Sequence, residues 1–172
     1  LLPWLPLLAK QILLNNLISD LPSLMISTDR VDPQVLTQAQ RWDPQRVRRF
    51  MLGFGLISTV FDLLTFAMLL WVFEGGQALF QTSWFVISVL TELAVLLVLR
   101  TRLPFWTQRP SFWLGATTAL AALLALALPY LGSISTALGL VPMPLPLMAA
   151  GLGIVLAYSL TTEACKRWIW RA

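Results

Sequence analysis

The chain of 172 residues is 58% hydrophobic and 12% charged, with a net charge of +4 and a mean hydropathy of +0.76. Soluble domains carry about 25% charged residues, so this chain cannot hide its apolar surface in a water-facing core and must turn much of it to lipid. It has no His and a single Cys, Cys165, which excludes imidazole metal centres, a Ser–His–Asp triad and an internal disulfide.

A spanning helix needs about 20 mostly apolar residues. Five stretches meet that need: about 7–26, 50–73, 79–99, 112–131 and 147–165. The expected fold is all-α, a polytopic helical membrane domain covering 1–172.

The first stretch is the richest in chemistry. It reads QILLNNLISDLPSLMIS from Gln11 to Ser27. Asn16, Ser19 and Asp20 are spaced i, i+3 and i+4 and so share a helix face. An ionised Asp at membrane depth is costly unless it is paired, protonated or bound to a cation. The neighbouring Asn and Ser oxygens are hard ligands of the kind Mg²⁺ or Ca²⁺ prefers. Pro22 has no N–H, which frees the carbonyl of Ile18, and broken helices at membrane depth are a recurring device for ion sites. The competing reading is a proline kink with polar side chains bonded to a neighbouring helix. Lys10, toward the opposite end from the basic loops, is expected to snorkel outward or to face a cavity.

The connection 28–49 is long and polar and holds Arg30, Arg41, Arg46, Arg48 and Arg49. Asp29 and Asp32 stand in it as partners for Arg30 or for segments outside this chain. The second stretch carries Asp62 near its middle, as a cation ligand, a partner for a basic group elsewhere, or the edge of a polar cavity. Gly53 and Gly55 are expected to allow a close helix contact. A short connection with Gly75 and Gly76 carries no basic residue. The third stretch holds Glu92, a second candidate ligand or a protonated, hydrogen-bonded carboxyl.

The loop 100–110 carries Arg100, Arg102 and Arg109, whereas 132–146 carries no charge. The tail 166–172 brings Lys166, Arg167 and Arg171, and Glu163 is expected to form an interfacial salt bridge with Lys166 and Arg167. Eleven of the twelve basic residues thus fall on one side. By the positive-inside rule that side is cytoplasmic, which makes loops 28–49 and 100–110 and the tail cytoplasmic. It also assigns the Arg clusters to topology and not to nucleic acid. Trp71, Trp84, Trp106, Trp113, Trp168 and Trp170 lie near span ends and read as interface anchors. The same count places the N-terminus outside. Leu1 in place of Met, with no basic leader, gives the expectation of a piece of a longer protein.

The run NNLISDLPSLMISTDRVD, Asn15 to Asp32, resembles the sixth transmembrane helix of P-type ATPases and the loop after it. The family pattern of Asn, two apolar residues, Ser or Thr, then Asp matches Asn16, Ser19 and Asp20. Glu92, within VLTEL, looks like an acidic position on the eighth helix of the calcium-pump branch. The runs RWDPQRVRRFMLGFGLISTVFDLLTF, LFQTSWFV and VLRTRLPF are similar to the bacterial magnesium-translocating members.

The resemblance implies that the five stretches are helices six to ten of a ten-helix pump in the inner (plasma) membrane. It implies metal ligation by Asn16, Ser19, Asp20 and Glu92. Mg²⁺ would be the cargo of an importer and, in the parent protein, the companion of ATP. The parent would be an ATP hydrolase working through an aspartyl-phosphate. The phosphorylation motif, the nucleotide and actuator domains, and helices four and five do not occur in these 172 residues. No catalytic residue is therefore expected here, and the chain alone should hydrolyse nothing. The partners implied are the bilayer, the missing N-terminal helices, the cytoplasmic domains and the divalent cation. Two alternatives stand beside this: a Ca²⁺ or H⁺ P-type ATPase, and a stand-alone non-enzymatic membrane subunit or secondary carrier.

Overall fold

The computed structural model describes residues 4–30, 43–73 and 76–171. Six α-helices account for most of them: α1 (Ala9–Met25), α2 (Pro44–Ala67), α3 (Gln77–Leu99), α4 (Phe112–Ala127), α5 (Ser133–Leu138) and α6 (Leu145–Arg171). A wide π turn, Met68–Val72, prolongs α2, and a 3₁₀ turn, Leu128–Tyr130, prolongs α4. There is no strand among the described residues.

Four helical stretches are long and apolar enough to cross a membrane: Val47–Val72, Gln77–Leu99, Phe112–Tyr130 and Leu145–Trp168. This is an all-α, multi-pass membrane region. The five expected stretches are all helical, but the first falls short of that standard. At 17 residues and 1.5 Å per residue, α1 is about 26 Å long, against about 30 Å of bilayer hydrocarbon. The expectation of a broken helix also fails. α1 runs without interruption through Pro22, which is buried inside it. The ring costs the helix one hydrogen bond but does not end it.

α3 is the hub of the bundle. It packs on α6, α1 and α4, while α1 packs on α4 and α2 packs on α6. Phe80, Phe85, Val86 and Val89 of α3 are almost wholly buried and form the core with Ala121 and Ala125 of α4 and Leu147 of α6. Phe85 has no exposed surface, while Leu123 of α4 and Leu156 of α6 are more than 60% exposed. This pattern suits a bundle whose outer face meets lipid.

The glycine expectation is not met at Gly55 among the described residues. A Cβ at Gly55 would meet nothing within 4 Å among the described residues, whereas one at Gly151 would lie 3.0 Å from Ile87. A close helix approach does occur between α6 and α3, at Gly151. Trp84 is likewise no simple anchor. Its ring packs 4.5 Å from that of Phe66, joining α3 to α2. Trp71, Trp113 and Trp168 are exposed, as interface anchors would be.

Each end of the bundle is tied. At one end Lys10 donates to the Ala137 carbonyl at 2.6 Å, and Gln11 donates to the Leu138 and Gly139 carbonyls. Both side chains occupy acceptors that α5 leaves without helical donors. At the other end Asp29 pairs with Arg100 at 2.7 Å and accepts from the Ser111 amide at 2.8 Å. Asp29 therefore joins the ends of α1 and α3 to the start of α4, and its partner is Arg100, not the side chain of Arg30. Asp32 lies outside the described residues. Lys166 also reaches this end, donating to the carbonyls of Val98, Thr101 and Leu103. It contacts Glu163 at 2.7 Å, and Arg167 does so at 3.1 Å. The salt bridge expected of Glu163 is thus present, and it is buried.

Candidate cation site

α1 and α3 enclose a cleft of about 300 Å³ that reaches from Glu92, inside the span, to Arg100 at the basic end. Ser19 and Ser23 of α1 line one wall and Glu92 of α3 lines the other. Ser19 is buried, and its hydroxyl donates to the Asn16 carbonyl at 3.3 Å. Ser23 donates to the Ser19 carbonyl at 2.9 Å. Both hydroxyls are anchored by their own helix, which leaves their lone pairs free to accept or to bind a cation.

The four expected ligands do not all meet. Ser19 and Glu92 share the cleft, while Asn16 and Asp20 are exposed on another side of α1. Helical geometry explains the division. At 100° per residue, Asn16 and Asp20 lie about 40° apart, whereas Ser19 is about 100° from Asp20. The carboxylates of Asp20 and Glu92 thus serve different faces of α1. Among the described residues, no three His, Cys, Asp or Glu side chains come together as a metal cluster.

Asn15 is the residue that sequence reasoning missed. Its Nδ2 donates to Glu92 Oε2 at 3.1 Å, joining α1 to α3 at membrane depth. Its Oδ1 is buried without a partner among the described residues. The signal was present in the pair Asn15–Asn16. Asn15 and Ser19, at i and i+4, form a stripe beside the one chosen. The arrangement offers a cation one carboxylate oriented by an amide, hydroxyl oxygens on one wall, and an outward-facing Asn–Asp pair one helical turn long.

Asp62 lies apart from this cleft, at the contact of α2 with α6. The Asp29 carboxyl, at the basic end, is shaped by its surroundings. Burial pushes its carboxyl up, but hydrogen bonds from the Arg100 side chain and from the Ser111 and Arg30 amides outweigh that and hold it below its ordinary value.

Residues 4–168 match the family described as cation transporting ATPase, C-terminus. The chain is 36% identical over 170 residues to the magnesium-transporting ATPase, P-type 1, of Salmonella typhimurium strain LT2, covering 96% of this chain and 19% of that protein. It is 35% identical to the protein of the same name from Escherichia coli K12, again over 96% of this chain and 19% of the relative. The chain therefore spans about a fifth of the length of the curated relatives it matches. With a match over nearly all its residues and a helical membrane bundle to go with it, the chain belongs to the family of C-terminal regions of cation-transporting ATPases.

Proposed function

We propose that this chain is the membrane part of an ATP-driven pump that carries Mg²⁺ into the cell. The observation that carries this reading is the identity, over 96% of the chain, to proteins named as magnesium-transporting P-type ATPases. The chemistry of α1 and α3 agrees with it. Mg²⁺ loses its water reluctantly and is usually held by one or two carboxylates while keeping several waters. Asn16, Ser19, Asp20 and Glu92 are the ligands in this reading. Asp20 and Asn16 act toward a helix contributed by the rest of the protein, and Asn15 orients Glu92. Because the two carboxylates serve different faces, the site is completed only when another segment closes over α1. ATP hydrolysis, with its own Mg²⁺, belongs to that remainder, and the 172 residues alone hydrolyse nothing. The basic end of the bundle, with Arg100, Lys166 and Arg167, is the cytoplasmic end, and the membrane is the plasma membrane.

The test is Mg²⁺ uptake and cation-stimulated ATPase activity of the complete protein in lipid vesicles. Asp20→Asn should abolish uptake. Glu92→Gln should weaken Mg²⁺ dependence without abolishing turnover. Wild-type uptake and affinity in Asp20→Asn would remove Asp20 from the site. Stimulation by Ca²⁺ and not by added Mg²⁺ would replace the magnesium reading with a calcium pump.

A further inference from the structure

A second group of oxygens converges on one point at the basic end of the bundle, and none of its residues lines the α1–α3 cleft. α3 ends at Leu99, which leaves its last carbonyls, that of Val98 among them, without helical donors. Just beyond, the Thr101 hydroxyl accepts from the Leu103 amide at 3.1 Å and folds the chain into a turn. The carbonyls of Val98, Thr101 and Leu103 meet there. Glu163 and Lys166, three apart on α6, reach the same point with buried side chains. Lys166 Nζ lies 2.8 Å from the Val98 oxygen, 3.2 Å from that of Thr101 and 2.9 Å from that of Leu103. Glu163 Oε2 is the fourth oxygen, at 2.7 Å.

The oxygens are arranged around a charge more than around the directions of an ammonium. A lysine ammonium has three hydrogens to donate, and the three carbonyls take them. Glu163 Oε2 receives no aligned hydrogen bond among the described residues, so charge alone draws it to Lys166. Four oxygens thus share a centre that has three directed donors. A spherical cation has no such directions, and backbone carbonyls that replace a hydration shell are the means by which K⁺ is held in selective pores. The distances choose the class of ion. Mg²⁺ sits about 2.0–2.1 Å and Ca²⁺ about 2.3–2.6 Å from its oxygens, shorter than any of the four contacts here. The one carboxylate is already shared with Arg167, at 3.1 Å, which suits a single positive charge and not two.

We propose that the oxygens of Val98, Thr101, Leu103 and Glu163 form a monovalent-cation site of the K⁺ class, which the Lys166 ammonium fills as a tethered ion. The tether holds the end of α3 against α6 whatever the salt around the protein. Without the ammonium, the same oxygens take a free K⁺ in its place. The site is built by α3, the turn after it and α6, and it is independent of the cation reading of α1. Its readout is stability, so loss of transport in Asp20→Asn is a separate result.

The experiment is the thermal midpoint of the complete protein in detergent, read by fluorescence-detected size exclusion at fixed Mg²⁺ and ionic strength. N-methylglucamine chloride is replaced stepwise by potassium chloride or by methylammonium chloride, the latter a free copy of the lost side-chain end. In Lys166→Ala the midpoint should start below wild type and rise saturably, by several degrees, with potassium. Wild type, whose cage is filled, and Lys166→Met, whose thioether occupies the space, should not respond. A flat profile in Lys166→Ala overturns the site, and so does an equal rise in Lys166→Met, which marks a general salt effect. A rise with methylammonium but not with potassium also overturns it, since that describes a lysine pocket and not an ion site. If Lys166→Ala does not accumulate, Lys166→Ser, which leaves the same space and adds a hydroxyl oxygen, is measured instead. Failure of both to accumulate in potassium-rich cells counts against the proposal, because the ion would have refilled the cage there.

Discussion

Lys166 shows how one side chain can fix a bundle end. It is 1% exposed, and its ammonium serves three carbonyls at the end of α3 as well as Glu163. Arg167, from the same turn, is 38% exposed where it meets Glu163, and its guanidinium lies 4.7 Å from the Trp106 ring. Removing one member of a buried ion pair costs about 3–5 kcal/mol, because the other is left uncompensated. A partly exposed pair contributes about 0–1 kcal/mol. Lys166→Met should therefore lower the thermal midpoint of the detergent-solubilised protein much more than Arg167→Met, as read by fluorescence-detected size exclusion. Equal shifts would mean that Lys166 does not close α3. Neighbouring positions in the sequence thus make unequal contributions, since helical phase sends one inward and the other toward the surface.

At the scale of elements, α1 is a short helix packed on α3 and α4 along its length and tied at both ends. At one end Gly139 closes α5 with φ of +71°, and a Cβ there would lie 2.9 Å from Leu8 Cδ1. Left-handed backbone costs an L-residue about 1–2 kcal/mol. Gly139→Ala should destabilise the protein by at least that amount and loosen Lys10 and Gln11, while Gly153→Ala, which meets nothing within 4 Å, should not. Amide exchange in 133–140 would report the difference. At the other end, the Asp29 clasp should be sensitive to acid. Its carboxyl is held below the ordinary value of 3.8, so its stabilising contribution is complete above that pH and is lost as pH falls through the lower folded value. Asp29→Asn should lower the thermal midpoint near neutral pH and flatten its dependence on pH in the acid range. A wild-type acid limb in the variant would place the titrating group elsewhere.

At the scale of the whole molecule, the proposed topology puts the two ends of the bundle on opposite sides of a membrane. Arg109 and Ile134, both exposed, lie in connections at opposite ends. In a Cys165→Ser background, Arg109→Cys should react with a membrane-impermeant thiol reagent only from the cytoplasmic side, and Ile134→Cys only from outside. Labelling of both from one side would refute the orientation. Apolar runs of spanning length, separated by basic and uncharged connections, were enough to specify a helical membrane fold and the helices that form it. Hydropathy and charge are local properties, and lipid rewards them wherever they occur. The short helix α5 was not legible, because six residues in an uncharged connection carry no periodic signal. Nor was the continuity of α1 through Pro22, since packing on α3 and α4 holds the helix on both sides of the ring. The candidate ligands Asn16, Ser19, Asp20 and Glu92 were readable as polar groups at membrane depth. Their distribution over faces was decided by where α3 packs against α1. Sequence composition determined the solvent this chain folds in. Only the tertiary structure decided which polar groups meet, bringing Asn15 to Glu92 and Lys166 to the carbonyls that close α3, because such meetings depend on helix rotation and neighbour, which no single segment encodes.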